Sequence, residues 1–464
     1  MRLKIVLLPR KLDSRPTPFW DIGSVIANIR SECERIKLID LETKNYYTKK
    51  YDGYLKNYGA VNVFRKESLC FVRSIIKDIG SIEFDVFHFY IDWWNETLPL
   101  AIAVAHQIKK LNKKARILLT GPYLNSYGKE ISDKFKFIDY IAVSEIEPVF
   151  KNIFTDGLCA SETSNIVYYN EKTRKVHETK RQVTDINDIL FPEFDLFFSG
   201  TCPCPEVLPF RLSRGCKYRC FFCACLSAKR LRYYKDIDAV VSCLRKYKKI
   251  YNVRNFYFED DALNFSNVYL ETFLDKLIKA RVNIQWSAYF IAKNLPLAII
   301  KKIRKAGCVH IRWGIESAHP SISREIAKNI SMSEAGVILS CASRVGISNQ
   351  ISVIVGFPYE KRDSIGLMKE FINKNKESLS VVNVYPFKPR VNTLAHDHSE
   401  RYGIKILEDR TVFKKDRVPF EETKGLKWEE KRIAQKLFKR DIDRFVKEKR
   451  LTDMDPKEYF KKMV

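Results

Sequence analysis

The stretch Arg214-Gly-Cys-Lys-Tyr-Arg-Cys-Phe-Phe-Cys223 places three cysteines on one short segment, in a C-x3-C-x2-C pattern. Three thiolates on one tight loop can hold three irons of a cubane [4Fe–4S] cluster. The fourth iron then has no protein ligand and is open to a substrate or cofactor. The spacing therefore predicts that Cys216, Cys220 and Cys223 are the ligands of an iron–sulfur cluster.

A zinc site is the competing interpretation of the same cysteines. Zinc usually takes four ligands, often as two C-x2-C pairs. Cys225 lies just beyond the motif, and Cys202 and Cys204 lie upstream of it, so a fourth thiolate is available. These three residues could also hold an auxiliary cluster, although their close C-x-C pair and the missing fourth ligand argue against it.

Composition restricts the class of protein. The chain has 464 residues, enough for two or three domains. Its 12 cysteines do not make a disulfide scaffold at this length, so clustered cysteines indicate metal binding or catalysis. The formal net charge of +26 allows a nucleic-acid or acidic partner. No RNA-binding motif accompanies that charge, and a solvated basic surface explains it as well.

Neither a membrane span nor a secretion signal is evident. No apolar run reaches the roughly 18 residues that cross a bilayer. The opening Met1-Arg-Leu-Lys-Ile-Val-Leu-Leu8 is too short for a signal-peptide core and is better interpreted as a first buried strand. We therefore expect a cytoplasmic protein with no membrane span.

The chain alternates apolar strands with amphipathic helices in two regions, which predicts an α/β fold. Residues 1–155 predict a Rossmann-like, doubly wound parallel sheet, which binds ligands beyond the carboxyl ends of its strands. Residues 156–200 are interpreted as a linker with a small hairpin near 166–169. Residues 201–395 hold six strand–helix units and predict a partial (βα)6 TIM-like barrel. Residues 396–464 are rich in lysine and glutamate at helical spacing and predict a helical C-terminal extension.

Three further segments follow predicted barrel strands, where a barrel carries its active residues. They are Asn255-Phe-Tyr-Phe-Glu-Asp-Asp-Ala262, Gly307-Cys-Val-His-Ile-Arg-Trp-Gly-Ile-Glu-Ser317 and Ser352-Val-Ile-Val-Gly-Phe-Pro-Tyr-Glu360. With the cysteine loop before them, they resemble the motifs of the radical S-adenosylmethionine (SAM) superfamily over residues 207–386. The resemblance implies that the open iron binds SAM, and that one electron from the cluster cleaves SAM to a 5′-deoxyadenosyl radical.

The resemblance also implies which residues contact SAM. Glu259, Asp260 and Asp261 match an acidic stretch that approaches the methionine amino group. A surface turn or a helix N-cap is the structural alternative for each of them. Glu316, beside Ser317, matches a carboxylate that accepts the ribose hydroxyls, because an ionised acceptor can take two hydroxyl protons.

The fifth-strand segment completes this set. Gly356 would let the backbone approach a flat ligand such as adenine. Tyr359 stands where relatives often have glycine, which is a modest departure. For Glu316 the structural alternative is a buried carboxylate paired with Arg312 or Arg324.

The N-terminal region resembles the cobalamin-binding domain of class B radical SAM enzymes, which implies a cobalamin cofactor. Ile117-Leu-Leu-Thr-Gly-Pro122 and Tyr140-Ile-Ala-Val-Ser-Glu-Ile-Glu147 align with its later strands, where relatives typically read GGP and GEgE. Residues 92–97 and 123–127 follow strand ends and could line a corrin pocket. The DxHxxG signature that places a histidine on cobalt is absent, and His88 is interpreted as packed in the sheet. A degenerate domain used for packing or substrate is the alternative.

These predictions describe a radical SAM enzyme that methylates an unactivated carbon with cobalamin. Radical rearrangement, cyclisation or oxidation without methyl transfer is the alternative within enzymes. Methylthio transfer uses three further cluster cysteines in the N-terminal domain, whereas only Cys33 and Cys70 occur in the first 150 residues. A zinc-bearing, basic nucleic-acid-binding protein is the alternative from another class. The expected partners are a small-molecule or peptide substrate and an electron donor such as flavodoxin or ferredoxin.

Overall fold

The computed structural model describes residues 1–8, 19–41, 66–91, 97–155, 160–198, 206–224, 230–407 and 418–449. These residues form two compact units that divide near residue 203. The N-terminal unit comprises the described residues up to 198, and the C-terminal unit those from 206 onward. Several residues that the sequence singled out lie outside the described residues: 92–96, Cys159, Cys202, Cys204 and Cys225.

The described part of the N-terminal unit holds one seven-stranded sheet with the order β2-β1-β3-β4-β5-β6-β7. Its strands are β1 (Arg2–Leu7), β2 (Arg35–Asp40), β3 (Val86–Tyr90), β4 (Arg116–Thr120), β5 (Tyr140–Ala142), β6 (Ile166–Asn170) and β7 (Lys175–Glu178). The first five are parallel, and β6 and β7 are antiparallel. The predicted hairpin near 166–169 is therefore an extension of the sheet.

Helices cover this sheet because its central strands are apolar on both faces, as parallel strands require. Strand β1 is buried along almost its whole length. The helices are α1 (Trp20–Ile29), α2 (Lys66–Ile79), α3 (Leu98–Leu111), α4 (Leu124–Lys134) and α5 (Glu147–Thr155). Strand β1 lies between β2 and β3, so the chain adds strands first on one side of β1 and then on the other, as in a doubly wound sheet. The predicted Rossmann-like fold is therefore confirmed.

The C-terminal unit is built on a six-stranded sheet with the order β15-β14-β13-β12-β11-β8, in which every neighbouring pair is parallel. The strands are β8 (Val207–Phe210), β11 (Asn255–Phe258), β12 (Gln285–Phe290), β13 (Cys308–Glu316), β14 (Ser348–Val355) and β15 (Val381–Pro386). A short ladder of β9 (Ser213–Arg214) and β10 (Arg232–Tyr233) lies between β8 and β11 in the chain. Sequential parallel strands with helical crossovers confirm the predicted partial barrel.

Helices connect consecutive barrel strands. They are α6 (Ile237–Ile250), α7 (Asn267–Lys279), α8 (Leu297–Lys305), α9 (Pro320–Glu325), α10 (Met332–Arg344) and α11 (Arg362–Lys374). Three of them begin at side chains that accept a hydrogen bond from the first turn, namely Asp236, Ser266 and Ser331. Such caps fix where the helix begins and satisfy one free backbone donor each. The caps therefore also fix where the turns that follow the preceding strands end.

The longest described element of the C-terminal extension is a helix. After β15 come the short helix α12 (Leu394–Asp397) and an antiparallel pair, β16 (Ile404–Ile406) with β17 (Phe420–Glu422). Helix α13 (Trp428–Glu448) then runs for 21 residues. The four-part division of the chain at 155, 200 and 395 stays a prediction.

Among the described helices, none combines the length and apolar character needed to cross a membrane. The cytoplasmic location expected from the sequence stays a prediction.

Candidate active site

The three cysteines lie on a loop that the β9–β10 ladder closes at its base. Arg214 pairs with Arg232 and Ser213 with Tyr233 in that ladder. Within the loop the Cys223 N–H donates to the Cys220 carbonyl over 3.0 Å, so these two cysteines share one turn. The arrangement follows from the local sequence, because the motif spaces its cysteines three and two residues apart.

An aromatic side chain between the cysteines fixes this loop to the core. Phe221 is buried, and its ring stacks on that of Tyr402 with centroids 4.6 Å apart. Phe357 and Phe387 pack against the same ring at 5.9 and 5.6 Å. Buried aromatic pairs of this kind stabilise a fixed geometry. The cysteines are therefore positioned by packing and not by their own hydrogen bonds alone.

The loop borders a cavity of about 680 Å³ at the carboxyl ends of the barrel strands. All three cysteines line it. So do residues from four strands or the turns that follow them, including Asp261, Tyr289, Gly314, Glu316 and Ser352. A cavity of this size holds a ligand as large as a nucleoside derivative.

The acidic triplet after β11 divides into three different environments. Asp261 lines the cavity. Glu259 forms an ion pair with Arg211, with Nη2 and Oε2 3.0 Å apart. Asp260 is buried beside the segment that leads into the cysteine loop. The predicted SAM contacts of Glu259 and Asp260 stay predictions, since both carboxylates have protein partners here.

Asp260 connects the acidic stretch to the cysteine loop. Its carboxylate accepts hydrogen bonds from the Leu212 N–H at 3.1–3.2 Å and from the Ser213 hydroxyl. Burial raises the pKa of Asp260 to about 7, although these donors act in the opposite direction. The side chain thus anchors the residues that precede the cysteines.

Glu316 forms a buried ion pair that the sequence did not predict. Its Oε1 lies 2.8 Å from Lys328 Nζ, and both side chains are at most a tenth exposed. Lys328 also donates to the Gly314 carbonyl over 3.1 Å and lines the cavity. The predicted structural partners, Arg312 and Arg324, are therefore not the partners that Glu316 has. Burial disfavours the charge on Lys328, but Glu316 and the nearby Cys220 outweigh it and raise the lysine pKa.

No sequence signal marks Lys328 as a site residue. It follows helix α9 in a turn in which both neighbours, Ala327 and Asn329, have positive φ angles of 61° and 48°. A left-handed alanine is unfavourable, so the surrounding structure must stabilise this turn. This turn directs Lys328 towards the carboxylate of Glu316, 12 residues earlier in the chain.

Ser317 and Gly356 are not among the residues that line the cavity. Ser317 is buried, and its hydroxyl accepts the His319 N–H within a turn. Gly356 has a φ of +79°, and a Cβ there would lie 2.3 Å from the Gln435 side chain of helix α13. Gln435 donates from Nε2 to the carbonyls of Gly356 and Phe387. Gly356 is thus needed for close packing of α13, and its predicted contact with adenine stays a prediction.

The donor set at the cysteines fits an iron–sulfur cluster. Burial raises the pKa of Cys216 to about 11 and that of Cys220 to about 12, so metal must displace their protons. Within the described chain, no three His, Cys, Asp or Glu side chains converge on a point where one metal ion could bind. A cubane does not require that, because each thiolate binds a different iron.

The described residues at the carboxyl edge of the N-terminal sheet are engaged in packing. His88 is fully buried, lies 2.7 Å from the Thr120 hydroxyl and meets the Phe150 ring edge-on. Burial lowers the pKa of His88 to about 3, so the imidazole is neutral. Tyr123 and Tyr127 are buried and stack on each other at 4.7 Å. Residues 9–18, 42–65 and 92–96 lie outside the described chain.

Comparison with protein families identifies the barrel. Residues 210–372 match the Radical SAM superfamily model. This part of the chain is similar to the Radical SAM superfamily. The match begins at the end of β8, includes the cysteine loop and extends into helix α11.

Two curated relatives are named as a methyltransferase and a methylthiotransferase. An uncharacterised methyltransferase of Pyrococcus horikoshii is 24% identical over 282 residues, which are 59% of this chain and 61% of the relative. The ribosomal protein uS12 methylthiotransferase RimO of Prochlorococcus marinus is 24% identical over 210 residues, 43% of this chain and 46% of RimO. The chain thus spans 61% of the first relative's length and 46% of the second's.

Two solved structures share the fold of this chain. The cobalamin-dependent SAM radical enzyme OxsB, with aqua-cobalamin and SAM bound, matches with a TM-score of 0.69 at 16% identity, over 90% of this chain and 64% of OxsB. The radical SAM methyltransferase TsrM from Kitasatospora setae matches with a TM-score of 0.66 at 11% identity, over 89% of this chain and 79% of TsrM. The chain therefore shares its fold with these two enzymes.

Proposed function

We propose that this radical SAM protein binds a [4Fe–4S] cluster through Cys216, Cys220 and Cys223, with SAM in the adjoining cavity. The observation that carries the proposal is the convergence of three thiols, Asp261 and the Glu316–Lys328 pair on one cavity. Groups of both charges are what SAM requires, because it presents an ammonium, a carboxylate and ribose hydroxyls.

Each cavity residue has a role that its chemistry suits. A cluster bound to the cysteines would supply the electron that cleaves SAM to methionine and a 5′-deoxyadenosyl radical. Asp261 would accept the methionine ammonium, and the Glu316 carboxylate would accept ribose hydroxyls. Lys328 holds Glu316 in place and balances its charge in a buried setting. The surrounding barrel excludes water, which protects a radical from quenching.

The finer proposal is cobalamin-dependent methylation of an unactivated carbon. Its support is the fold shared with OxsB and TsrM over about nine tenths of the chain, together with the similarity to the uncharacterised methyltransferase of Pyrococcus horikoshii. A corrinoid would supply the methyl group to the substrate carbon. Since His88 is buried against Thr120, a corrinoid would have no ligand from this histidine. The proposed partners are an organic or peptide substrate and a small electron-transfer protein.

The test is anaerobic reconstitution followed by metal and product analysis of the full chain. We expect iron and sulfide in the ratio of a cubane cluster, a spectrum that bleaches with dithionite, and 5′-deoxyadenosine released from added SAM. Stoichiometric zinc without 5′-deoxyadenosine would contradict the whole proposal and favour a zinc-bearing binding protein. Product formation with no retained corrinoid, after loading with hydroxocobalamin, would contradict methylation and favour another radical outcome.

A further inference from the structure

The strands that form the cavity also carry polar side chains into the barrel interior below it. On β13 Arg312 and Gly314 share one face, because successive side chains of a strand alternate up to the register shift that follows Gly314. Gly314 lines the cavity, so Arg312, two residues earlier on the same face, lies one layer deeper in the barrel. Its register neighbours are Tyr289 on β12, which also lines the cavity, and Gln350 on β14.

Unlike two other cations of this part of the barrel, Arg312 has no acidic partner among the described residues. Arg211 pairs with Glu259, and Lys328 pairs with Glu316. The Arg312 guanidinium instead lies over the Tyr289 ring, 4.2 Å from its centroid. Its Nε is buried and has no hydrogen-bond partner in the described chain. A buried donor left unpaired costs free energy, so the site is incomplete without an acceptor.

A second unpaired polar group lies on the neighbouring strand. Ser287 is on the same face of β12 as Tyr289, and its buried hydroxyl has no partner in the described chain. The nearby Gln350 amide is not available, because it contacts His310 through Oε1 and donates to Asn383 through Nε2. One guanidinium and one hydroxyl thus remain as donors in the same part of the interior.

The charge of the cavity lining favours an anion at these donors. Two exposed arginines, Arg219 and Arg230, line the same cavity and add positive potential to it. Guanidinium groups bind carboxylates and phosphates through parallel hydrogen bonds, and a ring stacked on one face leaves the donor edge accessible. The Tyr289 stack holds Arg312 in such an orientation.

We propose that Arg312 binds an anionic group of the substrate, a carboxylate or a phosphate, with Ser287 as a second donor. This inference rests on the proposed function only for taking the cavity above as the SAM site. The substrate is then an organic acid or a phosphate ester, and its charged end enters the barrel interior. Arg312 is then a substrate-binding residue below the cavity.

The first experiment measures anion binding to the reconstituted full chain with SAM present. Inorganic phosphate and succinate are titrated at constant ionic strength against sodium chloride, and the thermal shift reports the apparent dissociation constant. We expect Arg312→Gln to weaken binding of at least one anion by roughly ten- to a hundredfold, since a charged hydrogen bond is lost. The matched control Arg245→Gln removes the same charge from the exposed face of α6 and should leave the constant unchanged. Equal constants in wild type and Arg312→Gln would overturn the proposal.

A second measurement needs no variant, so it stands if Arg312→Gln fails to fold. Phenylglyoxal labels arginines, and peptide mass spectrometry locates the label. We expect label on Arg312 in chloride and its loss in phosphate or succinate, with Arg245 labelled equally throughout. An Arg312 that is never labelled, or that SAM alone protects and the anions do not, would overturn the assignment to substrate. Release of 5′-deoxyadenosine by the same wild-type preparation is scored separately, so failure of the proposed function is distinguishable.

Discussion

The carboxyl edges of the two parallel sheets differ in what their polar side chains contact. In the barrel, Asp261 lines a cavity and Glu316 faces it through its pair with Lys328. In the described part of the N-terminal sheet, His88 is buried against Thr120 and takes part in packing. Both edges have the architecture that α/β folds use for ligands. The fold alone therefore does not locate a binding site. The charged groups that face a cavity locate it.

Two glycines of the motifs, Gly121 and Gly356, are likewise required by packing within the protein. Gly121 has a φ of +125°, and a Cβ there would lie 1.9 Å from the Ile91 carbonyl, so close packing of strand β3 requires it. Gly356 is required by Gln435 in the same way. A glycine in a family motif is thus explained here by contacts within the protein. The predictions below test how far the two edges differ.

The largest expected effect is loss of the cluster on substituting a cysteine of the loop. We expect Cys220→Ala to abolish 5′-deoxyadenosine formation and to reduce bound iron to background, since two thiolates do not hold a cubane. The matched control is Cys243→Ala, which changes a buried cysteine on α6 away from the cavity and should keep iron and product. Iron and product retained in Cys220→Ala would remove the basis for the barrel site.

Breaking the buried ion pair should be the next largest effect. Lys328→Met leaves Glu316 buried and unpaired, so we expect the free energy of unfolding of the C-terminal unit to fall by about 3–5 kcal/mol. Adding Glu316→Gln removes the uncompensated charge and should restore much of the stability but not SAM binding. Hydrogen exchange measures the stability, and equilibrium dialysis measures the binding of SAM.

The control for this pair is Lys302→Met on the outer helix α8. Lys302 pairs with Glu271 and Asp275 at a solvent-exposed position, so its loss should have far less effect on stability. If Lys328→Met retained both stability and SAM affinity, the pair would be neither structural nor part of the site.

The two units should respond to pH with opposite slopes. Burial raises the pKa of Glu360 from 4.5 to about 7 in the folded protein. Between these values the folded state holds a proton that the unfolded state has lost, so stability of the C-terminal unit falls as pH rises. Burial lowers the pKa of Lys4 from 10.5 to about 8, so stability of the N-terminal unit rises from pH 8 to 10.5.

Isosteric variants isolate each slope. Glu360→Gln should remove its share of the decrease, and Lys4→Met its share of the rise, without changing the other unit. Hydrogen exchange of peptides from each unit, followed across pH 4 to 10.5, measures both. A slope unchanged by its variant would show that another group is responsible.

The smallest effect is expected at His88. His88→Leu removes one hydrogen bond to Thr120 and should cost about 1 kcal/mol of stability. Thr120→Val removes the same bond from the other side and should match it. Corrinoid retained per chain, measured as cobalt, should not change in either variant. Loss of cobalt only in His88→Leu would show that the N-terminal edge binds the corrinoid through this residue.

The sequence predicted the fold well because both sheets obey local rules. Apolar strands alternate with amphipathic helices, and Asp236, Ser266 and Ser331 mark helix starts that the structure contains. Parallel order follows from the alternation itself. The short β16–β17 pair in the extension was not predicted, because its strands have three residues each and no periodic pattern to detect.

The candidate site was predicted only in part. The cysteine motif, Asp261 and Glu316 were identified from sequence and do meet at one cavity. Lys328 was missed, because a buried lysine in a turn has no periodic signature. Glu259 and Asp260 were grouped with Asp261, yet adjacent residues at a strand end point in different directions, and both contact protein partners.

What the sequence by itself determined is what nearby residues decide: three thiolates on one loop, the order of strands and helices, and the carboxylates at strand ends. Only the tertiary structure decided which charges meet. It paired Lys328 with Glu316, placed Gln435 against a glycine 79 residues earlier, and stacked Arg312 on Tyr289 with no acidic partner in the described part of the chain. The physical reason is that periodicity and spacing report on neighbours along the chain. Charge pairing and close packing depend on residues that folding brings together.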